Sequence, residues 1–429
     1  MTPRADDRIG YIDLLKGLAC LIILYVHAVT PRVDLMKLPD LAVFTLLFFS
    51  AGLFFFASGM NIVNFLNRHR DDPPRQVGRF FLAAAAMLFG LSICYSVNHS
   101  SLRLPQIFQG IALCTAVTFL LLRTRLPNWA LILVALALYA LWLPYWVRVE
   151  PLVAPLRSLS FNEEVRLFLP WANGRGPFER FFLLHFSLLP WVSYTLAGAA
   201  TYRSIRQNPA AADRWWLFYA LLPLVGLLSY LFLPWRQPLF LRSYPDMILR
   251  NYPLPFFVWL GLTGLALLTA ARWYAGGEEI RSAIGRRLVG YLEFLGRESF
   301  LFLVWHWFVL TVLSLFLAVL LRNPGYAASR WSIYFPWFVT TVVVVATMPW
   351  AQRLGDRWRR HRHFVLEASL VLALGTTPGL ISFALRGTVR LPAIFSSFAA
   401  CLAFAYLYPV LREKLRRRLR QSVDRQPPA

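Results

Sequence analysis

The apolar residues of this chain fall in blocks of roughly twenty, with neither a helical nor a strand alternation running through them. A block of that length crosses a bilayer as a helix. Inside lipid the backbone must satisfy its own hydrogen bonds, so the blocks predict an all-α, polytopic transmembrane bundle. Twelve spans are predicted, with ten to twelve as the range: 9–30, 41–66, 80–97, 104–122, 127–147, 181–202, 215–235, 253–271, 298–321, 334–352, 364–385 and 392–411. Hydrophobic residues make up 58% and charged residues 15% of the 429, which leaves little for a soluble domain. Trp, Tyr and Phe gather near block ends, as interfacial anchors do. One transmembrane domain is expected over 1–411, followed by a basic cytoplasmic tail over 412–429. No small-residue cleavage site follows the first block, so that helix is expected to be retained.

The formal charge is +23, yet no nucleic-acid motif accompanies it. Lys and Arg are denser in every second connection, starting from the N-terminus, which predicts N-in and C-in in the cytoplasmic membrane with contacts to anionic lipid. The strongest inner markers are "NRHRDDPPR", "RWRRHR" and "REKLRRRLR". In the last, Leu411, Leu415 and Leu419 recur every four residues, which fits either a basic helix on the inner leaflet or a plain stop-transfer tail. Cys20, Cys94, Cys114 and Cys401 all sit in apolar blocks, so neither a disulfide framework nor a metal site is indicated. A homo-oligomer is compatible with the sequence and not specified by it.

The first block, "RIGYIDLLKGLACLIILYVH", carries Asp13, Lys16 and His27. Asp13 and Lys16 are three residues apart, so they share a helix face and are placed to pair. Lys16 and His27 lie near one face, roughly 16 Å apart along the axis. This face turns a cation toward the cytosol and an imidazole toward the outside. A neutral imidazole accepts a proton, as a general base must. The same three residues also suit an interfacial role, a structural ion pair and a headgroup histidine. Two outer loops, 148–180 and 236–252, are long enough to carry function. His99 is expected to be solvated in a short outer loop, and "NEE" at 162–164 offers carboxylates to a sugar or simply faces water. Asp34, just past the Pro31 that ends the first helix, is a candidate to orient His27.

The same first block resembles the opening helix of the transmembrane acyltransferase superfamily, which includes acyltransferase-3 proteins and heparan-alpha-glucosaminide N-acetyltransferase-like proteins. That helix reads R…D-x-x-R-G-x-A with a His eleven residues after the second Arg. Here Lys16, Gly17, Ala19 and His27 fill those places. Four further stretches agree in order: "FFFASGMNIVNFL" (54–66) around Ser58 and Gly59; "LPQIFQGIALC" (104–114) around Gln109; "LLPWVSYTLAGAATY" (188–202) around Trp191; and "LEFLGRESFLFLVWHW" (292–307), with Arg297, Ser299 and His306. Two positions depart from the pattern. Lys16 stands for Arg, which forfeits bidentate anion binding, and Gly110 follows Gln109 where the family commonly has Arg.

The resemblance implies an acyltransferase that takes an acyl group, acetyl by expectation, from cytosolic acyl-CoA to a hydroxyl or amine of a cell-envelope carbohydrate or lipid-linked glycan. In that reading His27 is the catalytic base. Lys16, Arg79 and Arg297 bind the donor, and Asp13, Asp34, Ser58, Gln109, Trp191, Ser299 and His306 support them. No metal is required. A direct transfer and a route through an acylated His27 both remain open. Two rivals stand beside it. A transporter or flippase of a lipid-linked glycan calls for internal repeats and broken helix pairs, which are poorly represented here. A polyprenyl-phosphate-dependent glycosyltransferase calls for acidic residues in the first outer loop, where Asp34 and Asp40 lie.

Overall fold

The structure, a computed structural model, describes residues 9–98, 106–159, 161–232, 238–275, 282–384 and 391–424. His99 lies outside them, as do Arg8 of the first motif and Leu104 and Pro105 of the third. All regular structure among the described residues is helical. The first half comprises α1 (Gly10–Val29), a 3-10 turn (Thr30–Leu35), α2 (Leu38–Leu47), α3 (Ser50–Arg68), α4 (Pro74–Asn98), α5 (Ile107–Arg123), α6 (Asn128–Val153), α7 (Phe161–Asn173), α8 (Pro177–Leu183), α9 (Leu188–Gln207) and α10 (Ala211–Phe232). The second half comprises α11 (Tyr244–Ile248), α12 (Pro253–Ala275), α13 (Ala283–Arg297), α14 (Ser299–Leu320), α15 (Pro324–Ala327), α16 (Trp331–Arg359), α17 (Phe364–Ala384) and α18 (Leu391–Asp424).

Eight helical segments among the described residues are long and apolar enough to cross a membrane. Three shorter apolar stretches, Ile107–Arg123, Ser299–Ser314 and Phe364–Thr377, join them. The loop expected over 148–180 is largely helical, since α6 runs on to Val153 and α7 and α8 follow. The boundary expected at 411 falls inside α18, which continues unbroken from the bundle through the basic run.

Three close packings set the site. α1 and α13 meet at glycines: a Cβ on Gly17 would strike the backbone of Leu292, and one on Gly296 the backbone of Asp13. α3 and α9 do the same, with Gly59 against Thr195 and Gly198 against Phe56. Small residues let helix backbones approach in lipid, where no hydrophobic drive holds helices together. The third packing is aromatic. Phe300 at the start of α14 lies 5.0 Å from Phe404 and 5.2 Å from Tyr408 of α18, ring centre to ring centre. α13 and α14 break at Glu298, whose backbone leaves helical geometry (φ −94, ψ 18). Before the break α13 packs closely on the first half of α1, and after it α14 meets α1 at the His27–His306 contact.

Candidate functional site

At the heart of the bundle two histidines meet. His27 Nδ1 lies 2.9 Å from His306 Nε2, and His306 Nδ1 lies 2.9 Å from the Phe302 carbonyl oxygen. A carbonyl only accepts, so His306 must carry its proton on Nδ1. In the neutral pair His306 Nε2 is therefore the acceptor, and His27 must donate from Nδ1. This hydrogen-bond network assigns the lone pair of His27 to Nε2. Trp307 packs on the His27 ring at 4.5 Å between centres. Trp305 Nε1 donates to Thr347 Oγ1 at 2.8 Å, which ties α14 to α16 and fixes the turn that carries His306.

His27 lines a cavity of about 230 Å³ between α1, α14 and α16. Along α14 the lining repeats at helical spacing, through Trp307, Leu310, Thr311, Ser314 and Leu317 to Leu321 just past its end, so the cavity follows one face for roughly 21 Å. Leucines, prolines and Trp307 share its walls with the hydroxyls of Thr311, Ser314, Tyr326, Ser332 and Thr340; among the described residues that line it Arg32 is the one Lys or Arg and there is no carboxylate. Pro336 and Ser332 of α16 both face it. A proline has no N–H to give the carbonyl four residues before it, which here is that of Ser332. Thr340, fully buried on the next turn of that face, has a hydroxyl with no hydrogen-bond partner among the described residues.

A second cavity, about 470 Å³, touches α1 at its opposite end, through Ile9, Ile12, Asp13 and Lys16. Its other walls come from α3 (Asn61, Asn64, Phe65, Arg68), from Arg297 at the end of α13, and from α18 (Pro409, Arg412, Glu413, Arg416). Five Lys and Arg side chains face two carboxylates there. Lys16 Nζ is 2.7 Å from Asp13 Oδ1, so part of its charge is already matched. Arg297 has no ion pair among the described residues and is exposed to the cavity. The depth from Lys16 to His27 is about 16 Å, and from Arg297 to His306 about 13 Å, at 1.5 Å per residue. Two helices thus give similar depths from the cationic cavity to the histidine pair.

The remaining expected residues are dispersed. Arg79 is exposed on α4 and lines neither cavity; Arg68, Arg412 and Arg416 face the cavity instead. Asp34 is exposed in the 3-10 turn and lines neither. Ser58 Oγ donates to the Phe54 carbonyl one turn back, at 2.7 Å. Gln109 is buried and its side chain accepts from the Gln106 backbone N–H at 2.9 Å, closing the first turn of α5. Ser299 opens α14. Trp191 is fully buried, donates to the His185 carbonyl at 2.8 Å and stands 5.0 Å from the Arg250 guanidinium.

Arg250 itself gave no sequence signal beyond its place in the 236–252 loop. It is buried against the faces of Phe48, Phe186 and Trp191, and burial pulls its guanidinium down to about 9. Asp40, an acidic candidate in the first outer loop, is engaged by Arg330 at 3.0 Å and by the Tyr334 hydroxyl.

Comparison with known proteins adds one match. No curated protein and no solved structure matches the chain. Residues 8–232 match the family model described as heparan-alpha-glucosaminide N-acetyltransferase, catalytic. This stretch contains His27, Lys16, Asn61 and Arg68, and it ends before His306. Because it spans more than half of the sequence, the chain belongs to the heparan-alpha-glucosaminide N-acetyltransferase catalytic family and is a multi-pass membrane acyltransferase.

Proposed function

We propose that the protein transfers an acetyl group from acetyl-CoA, held in the cationic cavity, to an amine or hydroxyl that reaches His27 through the apolar one. The carrying observation is the placement of the two cavities at opposite ends of α1, with the His27–His306 pair standing at the apolar one. Coenzyme phosphates are drawn to clustered cations in a cleft, and Lys16 and Arg297 sit where the pantetheine arm would leave them for the histidines. The acceptor nitrogen or oxygen attacks the thioester carbonyl, and its proton passes to His27 Nε2. The carbon–sulfur bond breaks, and the coenzyme leaves as a thiolate that takes up a proton. His306, bonded to His27 Nδ1, holds the ring in the tautomer that makes this proton transfer available. Trp307 gives the acceptor a flat apolar face beside the base.

In this reading the N-terminus, the C-terminus and the cationic cavity face the cytosol, and the acceptor is a carbohydrate of the cell envelope. A carboxylate-based glycosyl transfer draws no support from the described residues, because Asp34 is exposed and Asp40 is already bound. The test is turnover by the purified protein with acetyl-CoA, combined with mass analysis of envelope glycans with and without the gene. His27→Ala is expected to lower the transfer rate by roughly 10²–10⁴-fold, the usual contribution of a positioned base. Full activity in that variant would overturn the assignment.

A further inference from the structure

The walls of the apolar cavity suit one kind of acceptor. Of the hydroxyls that line it, three already give their protons to backbone carbonyls. Ser314 Oγ donates to Thr311 at 2.7 Å, Ser332 Oγ to Ser329 at 2.7 Å, and the Tyr326 hydroxyl, more weakly, to Trp331 at 3.5 Å. His27, Arg32, Thr311 and Thr340 are left to meet a ligand, set among leucines and prolines. A glycan chain carries several hydroxyls on every ring, and each one buried without a partner costs roughly 1–3 kcal/mol. So few partners can satisfy one sugar and not a run of them.

The cavity also opens sideways. Ser314 is exposed, and from Leu310 to Leu320 no described side chain of α14 is buried. Phe316 and Val319, on the same turns, are 70% and 65% exposed. Ser314 lies six residues, roughly 9 Å, short of the last residue of α14. An opening at that depth in a spanning helix gives onto hydrocarbon rather than water. Arg32 lies five residues past His27, in the 3-10 turn after α1, so roughly 8 Å farther along the chain. It is half-buried and has no ion pair among the described residues. The Tyr25 and Trp337 rings meet at 5.5 Å, which sets α16 against the end of α1 and puts Thr340, three residues on, at the histidine end of the cavity.

We infer that the acceptor is a lipid-linked sugar, joined through phosphate to a long apolar chain, and that it enters from the bilayer beside Ser314. This names the acceptor class for the acyltransferase reading above and rests on it. The chain lies against Leu310 and Leu317, the phosphate on Arg32, and the sugar between Arg32 and His27. A guanidinium suits a phosphate, whose oxygens accept its paired N–H donors. One sugar hydroxyl or amine then reaches His27 Nε2, with a neighbouring group on Thr340. The O–H or N–H bond breaks as that oxygen or nitrogen bonds the acetyl carbon, the proton goes to His27, and the coenzyme leaves with the sulfur. Acetylation therefore precedes the reaction that moves the sugar from its lipid carrier onto a polymer.

The experiment gives the purified full-length protein labelled acetyl-CoA and two acceptor preparations from cells lacking the gene, an organic-solvent lipid extract and the delipidated glycan residue. Label is expected in the lipid extract alone, and mild acid, which cleaves a sugar from a lipid phosphate, should make it water-soluble. Arg32→Ala is expected to raise the KM for the lipid extract roughly tenfold or more, the weight of one lost charged hydrogen bond, with the KM for acetyl-CoA unchanged. Arg32→Lys should recover part of that loss. Arg322→Ala, exposed just past α14 and off the cavity, is the control and keeps the wild-type KM. Label in the delipidated glycan, a lipid product whose label resists mild acid, or a wild-type KM in Arg32→Ala overturns the inference while leaving the acyltransferase reading in place. Absence of transfer to either preparation overturns that reading, and this inference with it.

Discussion

In the proposed reaction His306 supplies no proton, yet its hydrogen bond decides where a neutral His27 keeps its own. Its Nδ1–H is committed to the Phe302 carbonyl, so its Nε2 can only accept while the pair is neutral. Replacing it with Ala frees His27 to take the other tautomer. His306→Ala is expected to reduce kcat by about 10²-fold, the low end for a lost base, with the KM for acetyl-CoA unchanged. Steady-state kinetics against acetyl-CoA checks this, and an unaltered kcat would show that the pair is structural. In the sequence the distance from His27 to Lys16 suits a base or an interfacial histidine alike, and only the family resemblance singles it out. Its bond to His306 is not legible there, because 279 residues separate the two and no pattern within one helix encodes the packing of α14 on α1. Gln109 and Trp191 show the converse. Each stood in a motif, and each is explained locally, by a helix cap and by a buried indole bonded to a loop carbonyl.

Helix pairs in this protein are held at glycine contacts that leave no room for a methyl group. A Cβ on Gly198 would collide with the Phe56 carbonyl, and that neighbour is backbone, which cannot swing aside. Gly198→Ala must therefore push α9 from α3 and is expected to cost roughly 1–3 kcal/mol, the range for an overpacked core. Thermal unfolding in detergent measures it. Gly90→Ala, with nothing near its Cβ, is the matched control and should be neutral or slightly stabilising. The apolar blocks were enough to find most of these helices. They could not find α7 and α8, which lie in a stretch read as loop, or the identity of the helix that faces each glycine. Block length records that a segment suits lipid; the partner of a small residue depends on three-dimensional packing that no local pattern encodes.

At the scale of the whole molecule, the turn after α3 and the N-terminal end of α1 lie at the same end of the bundle as the cationic cavity, and the turn before α15 lies at the other. Asp71→Cys and Asn323→Cys, each introduced after replacement of the native cysteines, are therefore expected to react with a membrane-impermeant thiol reagent from opposite faces. Asp71→Cys should react from the cytosolic side. Reaction of Asp71→Cys from the outer side would refute the N-in arrangement, and reaction of both from one side would refute the placement of the two turns at opposite ends. Charge density along the chain predicts this orientation, with "NRHR" and "REKLRRRLR" as the expected inner markers. Their arginines were not legible as cavity walls, because a basic run on the inner leaflet and a basic run folded against a cleft have the same composition.

The separation of the two cavities along α1 bears on what the membrane has to let through. Coenzyme A carries several negative charges, and each would meet a steep barrier in hydrocarbon, at least 2–3 kcal/mol on the mildest scale. On the proposed reading the nucleotide stays at one end and the histidines lie about 16 Å further on, so only the neutral arm and its acyl group span the distance. In the proposed reaction the coenzyme never leaves the compartment that regenerates it. On that reading the bilayer stays sealed to nucleotides, while a compartment without activated acyl donors of its own still receives the acyl group.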